Sequence, residues 1–322
     1  MQSTFTRRSL SGSLVAGIAS PLLGAAAGSN TVAGGKMISA EDRHPRKRAA
    51  VLDSEMSYVD VGHGEPIVFL HGNPTWSYLW RNVISGAQGA GRCLAPDLVG
   101  MGQSKPSPAA AYRLVDHANY LDAWFDAVGA TKNVTLVIHD WGSVLGLHRA
   151  RRFPDQVKAV VYMEAIVRDR TWAEFGPFEQ MFRALRSPAG EQMVLDQNLF
   201  VEQILPHAVL RKLGEAELGH YRAPYKTRES RLPTLVWPRE IPVEGQPADV
   251  AAIIAANADF MAASQMPKTF IEATPGTMPP RARELCKSWP NQTVVQVAGV
   301  HYVQEDAPDQ IASAVKGIIA RT

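Results

Sequence analysis

The most constraining feature of this 322-residue sequence is a series of short apolar runs that alternate with amphipathic or polar stretches. Continuous apolar runs are typical of parallel strands buried on both faces, and helical stretches between them supply the crossover connections. The pattern therefore predicts an α/β fold with a mostly parallel sheet flanked by helices. The runs lie at residues 67–70, 94–97, 134–138, 159–163, 270–271 and 294–297.

Composition and charge exclude several other classes of protein. Hydrophobic residues make up 46% of the chain and charged residues 20%, so a chain of this length can bury a full core. A formal net charge of +2 does not indicate a protein that binds nucleic acid or an anionic membrane surface. Two cysteines, Cys93 and Cys286, are too few for a disulfide framework or a structural zinc site.

Residues 1–28 have the layout of a bacterial export signal. Arg7 and Arg8 precede a mild apolar stretch, and three alanines follow it. The apolar stretch is interrupted by Ser, Gly and Pro and is too short for a stable membrane anchor. We therefore expect export to the periplasm through a twin-arginine-like signal, with a cytoplasmic extension as the alternative. Residues 29–50 are polar and basic, which predicts a solvated linker.

The pattern changes between residues 166 and 247, where helical stretches occur without a strand of comparable quality. We expect this segment to be a helical cap inserted into a core formed by residues 51–165 and 248–322. In a parallel sheet the reacting groups collect at the carboxyl ends of the strands. A cap over those ends would exclude water from the pocket.

The sharpest motif is a strand–turn–helix at residues 137–143, Val-Ile-His-Asp-Trp-Gly-Ser. A strand that enters a helix through one tight turn presents the turn residue with a strained backbone, and a small residue must follow two positions later. Gly142 meets that requirement, and Asp140 occupies the nucleophile position, although Ile138 departs from the strict G-x-S-x-G pattern. A carboxylate is ionised at neutral pH and suits displacement at a saturated carbon, which gives an alkyl ester.

Hydrolysis of such an ester requires a base and an acid that orients it. His301 follows the last apolar run, and Glu164 ends the run after the helix of the motif. Asp140, Glu164 and His301 then stand in the chain order nucleophile, acid, base. Glu272 lies near the end of the run at 270–271 and is an alternative acid.

The first step would also expel an anion, which needs hydrogen-bond donors in a dry pocket. Neutral donors suit a halide, because Lys or Arg would hold it too tightly for release. The indole N–H of Trp141 and the side-chain amide of Asn73 are the candidates. The backbone N–H groups of the same two residues would form an oxyanion hole for ester hydrolysis.

Six motifs carry a resemblance that extends from residue 51 to the end of the chain. They are FLHGNPTWSYLWRN at 69–82, PDLVGMG at 96–102, IHDWGS at 138–143, MEA at 163–165, WPREIP at 237–242 and VHYVQED at 300–306. As a set they resemble the haloalkane dehalogenases, in particular the subfamily with an Asn–Trp halide pair and a Glu acid after the sixth strand.

The resemblance implies an α/β-hydrolase fold with an eight-stranded, mostly parallel sheet and a helical cap after the sixth strand. It implies Asp140 as nucleophile, His301 as base and Glu164 as acid, and it weakens the case for Glu272. It also implies Asn73 and Trp141 as halide ligands. Haloalkane, water and halide ion are the expected partners, and neither a metal nor an organic cofactor is expected.

Two departures and three alternatives accompany this interpretation. The export-signal-like N-terminus is unusual for these enzymes. Trp76 stands where small residues are common in the family. Coelenterazine luciferases of the sea-pansy type share the scaffold and the triad, and parts of the cap resemble them as well. Epoxide hydrolases share the Asp nucleophile but protonate the opening oxygen with cap tyrosines, for which Tyr221 and Tyr225 are candidates. A hydrolase-fold receptor or carrier would have no reason to keep nucleophile, acid and base together.

Overall fold

The computed structural model describes residues 38–322, which form an eight-stranded sheet with helices on both faces. The strand order is β1-β2-β4-β3-β5-β6-β7-β8; β1 and β2 are antiparallel to their neighbours, and the other strands pair in parallel. The predicted α/β-hydrolase fold is therefore confirmed. The strands are β1 Arg46–Val51, β2 Ser54–Val61, β3 Pro66–Leu70, β4 Arg92–Pro96, β5 Val134–Asp140, β6 Val157–Ala165, β7 Lys268–Pro275 and β8 Gln292–Gly299.

Alternate side chains of the central strands enter two hydrophobic clusters, one on each face of the sheet. Along β3, Ile67 and Phe69 pack into one cluster, while Val68 and Leu70 pack into the other. Because successive side chains of a strand point to opposite faces, a strand covered on both sides must be apolar throughout. This explains the continuous apolar runs of the sequence.

The helices follow the strands in the order expected for crossover connections. Short 3₁₀ segments occur at Ser77–Trp80, Pro154–Gln156, Trp172–Phe178 and Glu229–Arg231, and π-helical turns at Gln192–Asp196 and Phe200–Ile204. The α-helices are α1 Arg81–Ala87, α2 Leu114–Ala127, α3 Trp141–Arg152, α4 Glu179–Leu185, α5 Ala189–Glu191, α6 Leu205–His207, α7 Glu215–Arg222, α8 Leu232–Glu240, α9 Ala248–Ala263, α10 Pro280–Lys287, α11 Val303–Asp306 and α12 Pro308–Ile319.

The segment between β6 and α9, where the sequence places the cap, is helical in the structure. Its contacts with the carboxyl ends of the strands include backbone hydrogen bonds and aromatic stacking. The carbonyl of Ala208 accepts hydrogen bonds from the backbone N–H groups of His301 and Tyr302, at 3.0 and 3.1 Å. The ring of Trp237 in α8 stacks on that of Trp141 at the start of α3, with centroids 4.6 Å apart.

The predicted solvated linker at residues 29–50 is wrong for its C-terminal part. Arg46–Val51 forms the edge strand β1, so the core begins before residue 51. Positive charge in this strand suggests a solvated segment, but the guanidinium of Arg46 is paired with Asp42 at 2.9 Å, and the ammonium of Lys47 with Asp60 at 2.7 Å. The export-signal-like segment 1–28 and residues 29–37 lie outside the described residues.

Residues 38–322 lack two features, a membrane-spanning helix and a cluster of metal ligands. None of the helices there combines the length and the apolar character needed to cross a membrane. Over the same range, no cluster of three or more His, Cys, Asp or Glu side chains is arranged to hold a metal ion.

Candidate active site

Asp140 stands at the junction between β5 and α3 in a backbone conformation that side chains rarely adopt. Its φ and ψ are 50° and −127°, so the sharp turn predicted from the sequence is present. The turn presses against the end of β3, because a Cβ atom on Gly142 would lie 2.3 Å from the carbonyl oxygen of Leu70. Only glycine fits there, which explains the small residue two positions after Asp140.

The two carboxylate oxygens of Asp140 have different partners. Oδ1 accepts a hydrogen bond from the backbone N–H of Asn73 at 2.8 Å, and the backbone N–H of Trp141 also donates to the carboxylate. Oδ2 lies 3.6 Å from Nε2 of His301. Burial alone would raise the pKa of Asp140, but the hydrogen bond and charge of His301 outweigh it and lower the pKa below its usual value. Asp140 is therefore an anion at neutral pH.

His301 lies between Asp140 and Glu164. Its Nδ1 is 3.4 Å from Oε2 of Glu164, which stands near the end of β6. Burial lowers the pKa of His301, but the attraction of the two carboxylates raises it to about 9. Nε2 of His139 donates a hydrogen bond to the backbone carbonyl oxygen of His301 at 2.9 Å. Burial lowers the pKa of His139 to about 3. His139 is thus a neutral support for the loop that carries His301.

The alternative acid, Glu272, has a different partner. Its Oε1 forms an ion pair with Nζ of Lys287 at 2.5 Å. Within the described residues it makes neither a hydrogen bond nor an ion pair with His301. The structure brings Glu164, not Glu272, to the histidine.

Asn73 and Trp141, the two candidate halide ligands, flank Asp140. Asn73 follows β3, and its backbone carbonyl accepts a hydrogen bond from the hydroxyl of Tyr302 at 3.0 Å. Trp141 is buried and stacks on Trp237, whose indole N–H contacts Sδ of Met101 at 3.4 Å. These contacts fix the orientation of the Trp141 ring and of the Asn73 turn.

The unexpected Trp76 has a packing role. Its ring stacks on Tyr78 with centroids 5.5 Å apart, and the guanidinium of Arg46 lies 4.7 Å from its ring centroid. The bulky side chain therefore joins the turn after β3 to the edge strand β1.

Sequence reasoning missed two residues close to the triad. The backbone N–H and the hydroxyl of Thr277, two residues after β7, both donate to Oε2 of Glu164. Arg170 lies in the loop that enters the cap. Burial lowers its pKa below the usual value, and the charges of Glu164 and Asp140 offset only part of that effect. Thr277 follows the end of a strand, so the rule that identified the other site residues could have found it. No comparable signal marks Arg170.

Comparison with known proteins gives one consistent result. The model of the α/β hydrolase fold family matches residues 65–308. The chain is 47% identical over 282 residues to a haloalkane dehalogenase of Sphingobium indicum, covering 86% of this chain and 95% of that protein. A haloalkane dehalogenase of Mycolicibacterium smegmatis is 46% identical, covering 82% and 87%. The crystal structure of a haloalkane dehalogenase from Bradyrhizobium elkani superposes with a TM-score of 0.83 at 43% identity, covering 86% and 98%.

Proposed function

This chain belongs to the haloalkane dehalogenases of the α/β-hydrolase superfamily, and we propose that it acts through a covalent alkyl ester on Asp140. His301 serves as the base and Glu164 as the acid that orients it. The observation that carries the proposal is the division of the Asp140 carboxylate. Oδ1 is held by the backbone N–H of Asn73, and Oδ2 faces His301.

In the first step Oδ2 of Asp140 attacks the carbon that bears the halogen. A carbon–oxygen bond forms, the carbon–halogen bond breaks, and the halide leaves with the bonding electron pair. The indole N–H of Trp141 and the side-chain amide of Asn73 hold the departing anion, which neutral donors can release again. The nucleophile needs no base in this step because its pKa lies below the usual value.

In the second step His301 removes a proton from water, and the resulting hydroxide attacks Cγ of the ester. Negative charge develops on Oδ1, which already accepts a hydrogen bond from the backbone N–H of Asn73, and the backbone N–H of Trp141 is a second donor to the same carboxylate. The tetrahedral intermediate collapses, and the alkoxide leaves as an alcohol after it takes the proton from His301. The proton of the regenerated Asp140 carboxyl group passes to solvent, so the products are alcohol, halide and a proton.

The charge of Asp140 also controls when His301 can act as a base. With Asp140 ionised, the pKa of His301 is raised to about 9, and at neutral pH the ring is mostly protonated. Alkylation turns Asp140 into a neutral ester and removes the largest attraction for that proton, while burial still disfavours the charged ring. The pKa of His301 therefore falls when the ester forms, which leaves a neutral imidazole for the second step.

The epoxide hydrolase alternative would need a free tyrosine hydroxyl over the nucleophile. The hydroxyl of Tyr221 is instead hydrogen-bonded to Oε1 of Glu305. The hydroxyl of Tyr225 is free of partners among the described residues, but it makes no hydrogen bond with Asp140 that would place it over the nucleophile. No contact of the site favours the luciferase or receptor alternatives over dehalogenation.

A single turnover in ¹⁸O-labelled water tests the proposed route with 1,2-dibromoethane or 1-bromobutane as substrate. Attack of hydroxide on Cγ places the label in the Asp140 carboxylate, and the alcohol receives an unlabelled oxygen. Direct attack of water on the substrate would place the label in the alcohol and would exclude the ester. Asp140→Ala is the control, and it should release no halide above background.

Residues 1–28 support a separate proposal, export by a twin-arginine-like signal. Replacing Arg7 and Arg8 together with lysine keeps the charge but changes the residue pair. We expect the parent chain to be found in the periplasmic fraction of its host and the double variant to remain in the cytoplasm. Equal distribution of both proteins would contradict export by this route.

A further inference from the structure

Thr277 links the acid of the triad to the base. Its backbone N–H donates to Oε2 of Glu164 at 2.8 Å, and its hydroxyl donates to the same oxygen. The hydroxyl oxygen also lies 3.1 Å from Nδ1 of His301. The direct distance from Nδ1 to Oε2 of Glu164 is 3.4 Å, beyond the usual range for an N–H···O hydrogen bond. Thr277 is therefore the nearer acceptor for the Nδ1 proton.

A hydroxyl group has one hydrogen and two lone pairs, which determines the direction of both bonds. Because the Thr277 hydrogen is given to the carboxylate of Glu164, the contact with His301 must use a lone pair as acceptor. Nδ1 of His301 then keeps its proton, so when the ring becomes neutral in the ester it is Nε2, the nitrogen that faces Asp140, that has the free lone pair. A base that removes a proton from water beside Asp140 requires this tautomer.

The backbone, rather than the side chain, holds Thr277 in place. Gly276 has a φ of +64°, and a Cβ atom there would lie 2.9 Å from Oε1 of Glu164 and 2.7 Å from the carbonyl oxygen of Ala273. The N–H of Gly276 donates to the carbonyl of Gly299 at 3.0 Å, which ties this loop to the end of β8 just before His301. Removal of the Thr277 hydroxyl should therefore leave the loop where it is.

We propose that Thr277 is a positioning residue for ester hydrolysis, whose hydroxyl connects Glu164 to His301 and keeps the histidine in the tautomer with a proton on Nδ1. The inference rests on the proposed function, because it assigns a role within the second step. Among the described residues, the side chain of Thr277 is hydrogen-bonded to Glu164 and His301 and not to Asp140, so it has no direct role in the alkylation step. Its loss should consequently affect hydrolysis and spare alkylation.

The charges around His301 give the direction of the pH effect. Asp140 and Glu164 face the ring from β5 and β6, Arg170 of the cap acts on both carboxylates, and His139 beneath the ring is neutral. The Thr277 hydroxyl donates to Glu164 and so offsets part of its negative charge. Without it, the full carboxylate charge acts on His301 and stabilises the protonated ring. The acid limb of the hydrolysis rate should therefore move to higher pH.

The test uses the full chain and two variants. Thr277→Val has nearly the same shape as the parent side chain but no hydroxyl, and Thr277→Ser keeps a hydroxyl. Rapid-quench single turnovers with 1-bromobutane measure bromide release and ester decay separately across pH. We expect Thr277→Val to release bromide at the parent rate and to hydrolyse the ester about tenfold more slowly, less than the full general-base effect because His301 itself remains. Its acid limb should lie at higher pH, and Thr277→Ser should recover most of the rate.

Three results would overturn the inference. One is hydrolysis by Thr277→Val at the parent rate with an unchanged pH profile. Another is an equal loss in bromide release and hydrolysis, which indicates a general structural effect. A third is failure of Thr277→Ser to recover the rate. Failure of the proposed function would look different, because the parent protein itself would then form no ester on Asp140.

Discussion

Oδ2 of Asp140 lies 3.6 Å from Nε2 of His301, while Oδ1 of the same carboxylate is held at 2.8 Å by the backbone N–H of Asn73. The group cannot rotate without losing that hydrogen bond, so each oxygen keeps its own role. In the proposed mechanism, the oxygen that faces His301 attacks the substrate, and charge develops on the bound oxygen during hydrolysis. A single carboxylate would thus serve both steps without rearrangement.

Removal of the base should stop the reaction after its first step. His301→Ala leaves Asp140 and its N–H donors in place, so we expect one equivalent of bromide from 1-bromobutane and then no further turnover. Mass spectrometry of the protein should show a butyl group on Asp140. As a control, His301→Ala combined with Asp140→Asn should show neither the burst nor the adduct. Absence of the burst in the single variant would contradict the two-step route.

The pKa of His301 should differ between the free enzyme and the ester. NMR titration of the free enzyme should give a value near 9, because the ionised carboxylates of Asp140 and Glu164 favour the protonated ring. The ester lacks the charge of Asp140, so the acid limb of its hydrolysis rate should lie at lower pH than the NMR value. Single-turnover ester decay across pH provides the second number. Equal values from both experiments would show that Asp140 does not control the base.

Two matched substitutions distinguish the acid of the triad from its neighbour. Glu164→Gln removes the charge 3.4 Å from His301, and we expect ester hydrolysis to slow by about a hundredfold or more. Glu272→Gln removes a carboxylate that pairs with Lys287, and it should leave hydrolysis within about threefold of the parent. Rapid-quench ester decay measures both. The reverse ranking would assign the acid role to Glu272.

The positions of the triad residues could be predicted because strand ends leave a local signature. Asp140, Glu164 and His301 each follow a short apolar run, and Gly142 marks the tight turn that the nucleophile requires. Strand β1 could not be predicted in this way, because its basic side chains are neutralised by partners such as Asp60 that only the fold brings near. Thr277 was not predicted, because the role of its hydroxyl depends on the contact that the folded loop after β7 makes with Glu164.

Loss of the indole N–H at the proposed halide site should slow alkylation and leave the rest of the site intact. Trp141→Phe keeps an aromatic ring against Trp237 and the backbone N–H that binds Asp140, but it removes one donor to the leaving halide. We expect the bromide burst to slow by about a hundredfold, the cost of one such donor. Bromide should also inhibit the variant less strongly.

Trp237→Phe is the matched control, because its indole N–H contacts Met101. It should change the burst by less than about threefold, since it removes no donor to the halide. A Trp141→Phe burst as fast as that of this control would exclude Trp141 as a halide ligand.

A buried ion-pair cluster should matter more for stability than the many exposed pairs of this protein. The guanidinium of Arg81 pairs with Glu305 at 2.6 Å and with Glu217 of the cap at 3.1 Å. The side chains of Arg81 and Glu305 are 1% and 0% exposed, and burial would lower the pKa of Arg81 if the charge of Glu305 did not raise it above its usual value. The cluster also joins the cap to the helix that follows His301, because Glu305 lies in α11.

Arg81→Met should lower the free energy of unfolding by about 3 kcal/mol, because it leaves the carboxylate of Glu305 buried with a single remaining cationic partner, Arg211. Arg222→Met breaks two surface pairs, with Glu202 and Glu215, and should cost about 1 kcal/mol or less. Urea denaturation of both variants measures the difference. Equal midpoints for the two would show that the buried cluster contributes no more than a surface pair. A second substitution, Glu305→Gln in the Arg81→Met background, should recover part of the loss, because it removes the incompletely compensated charge.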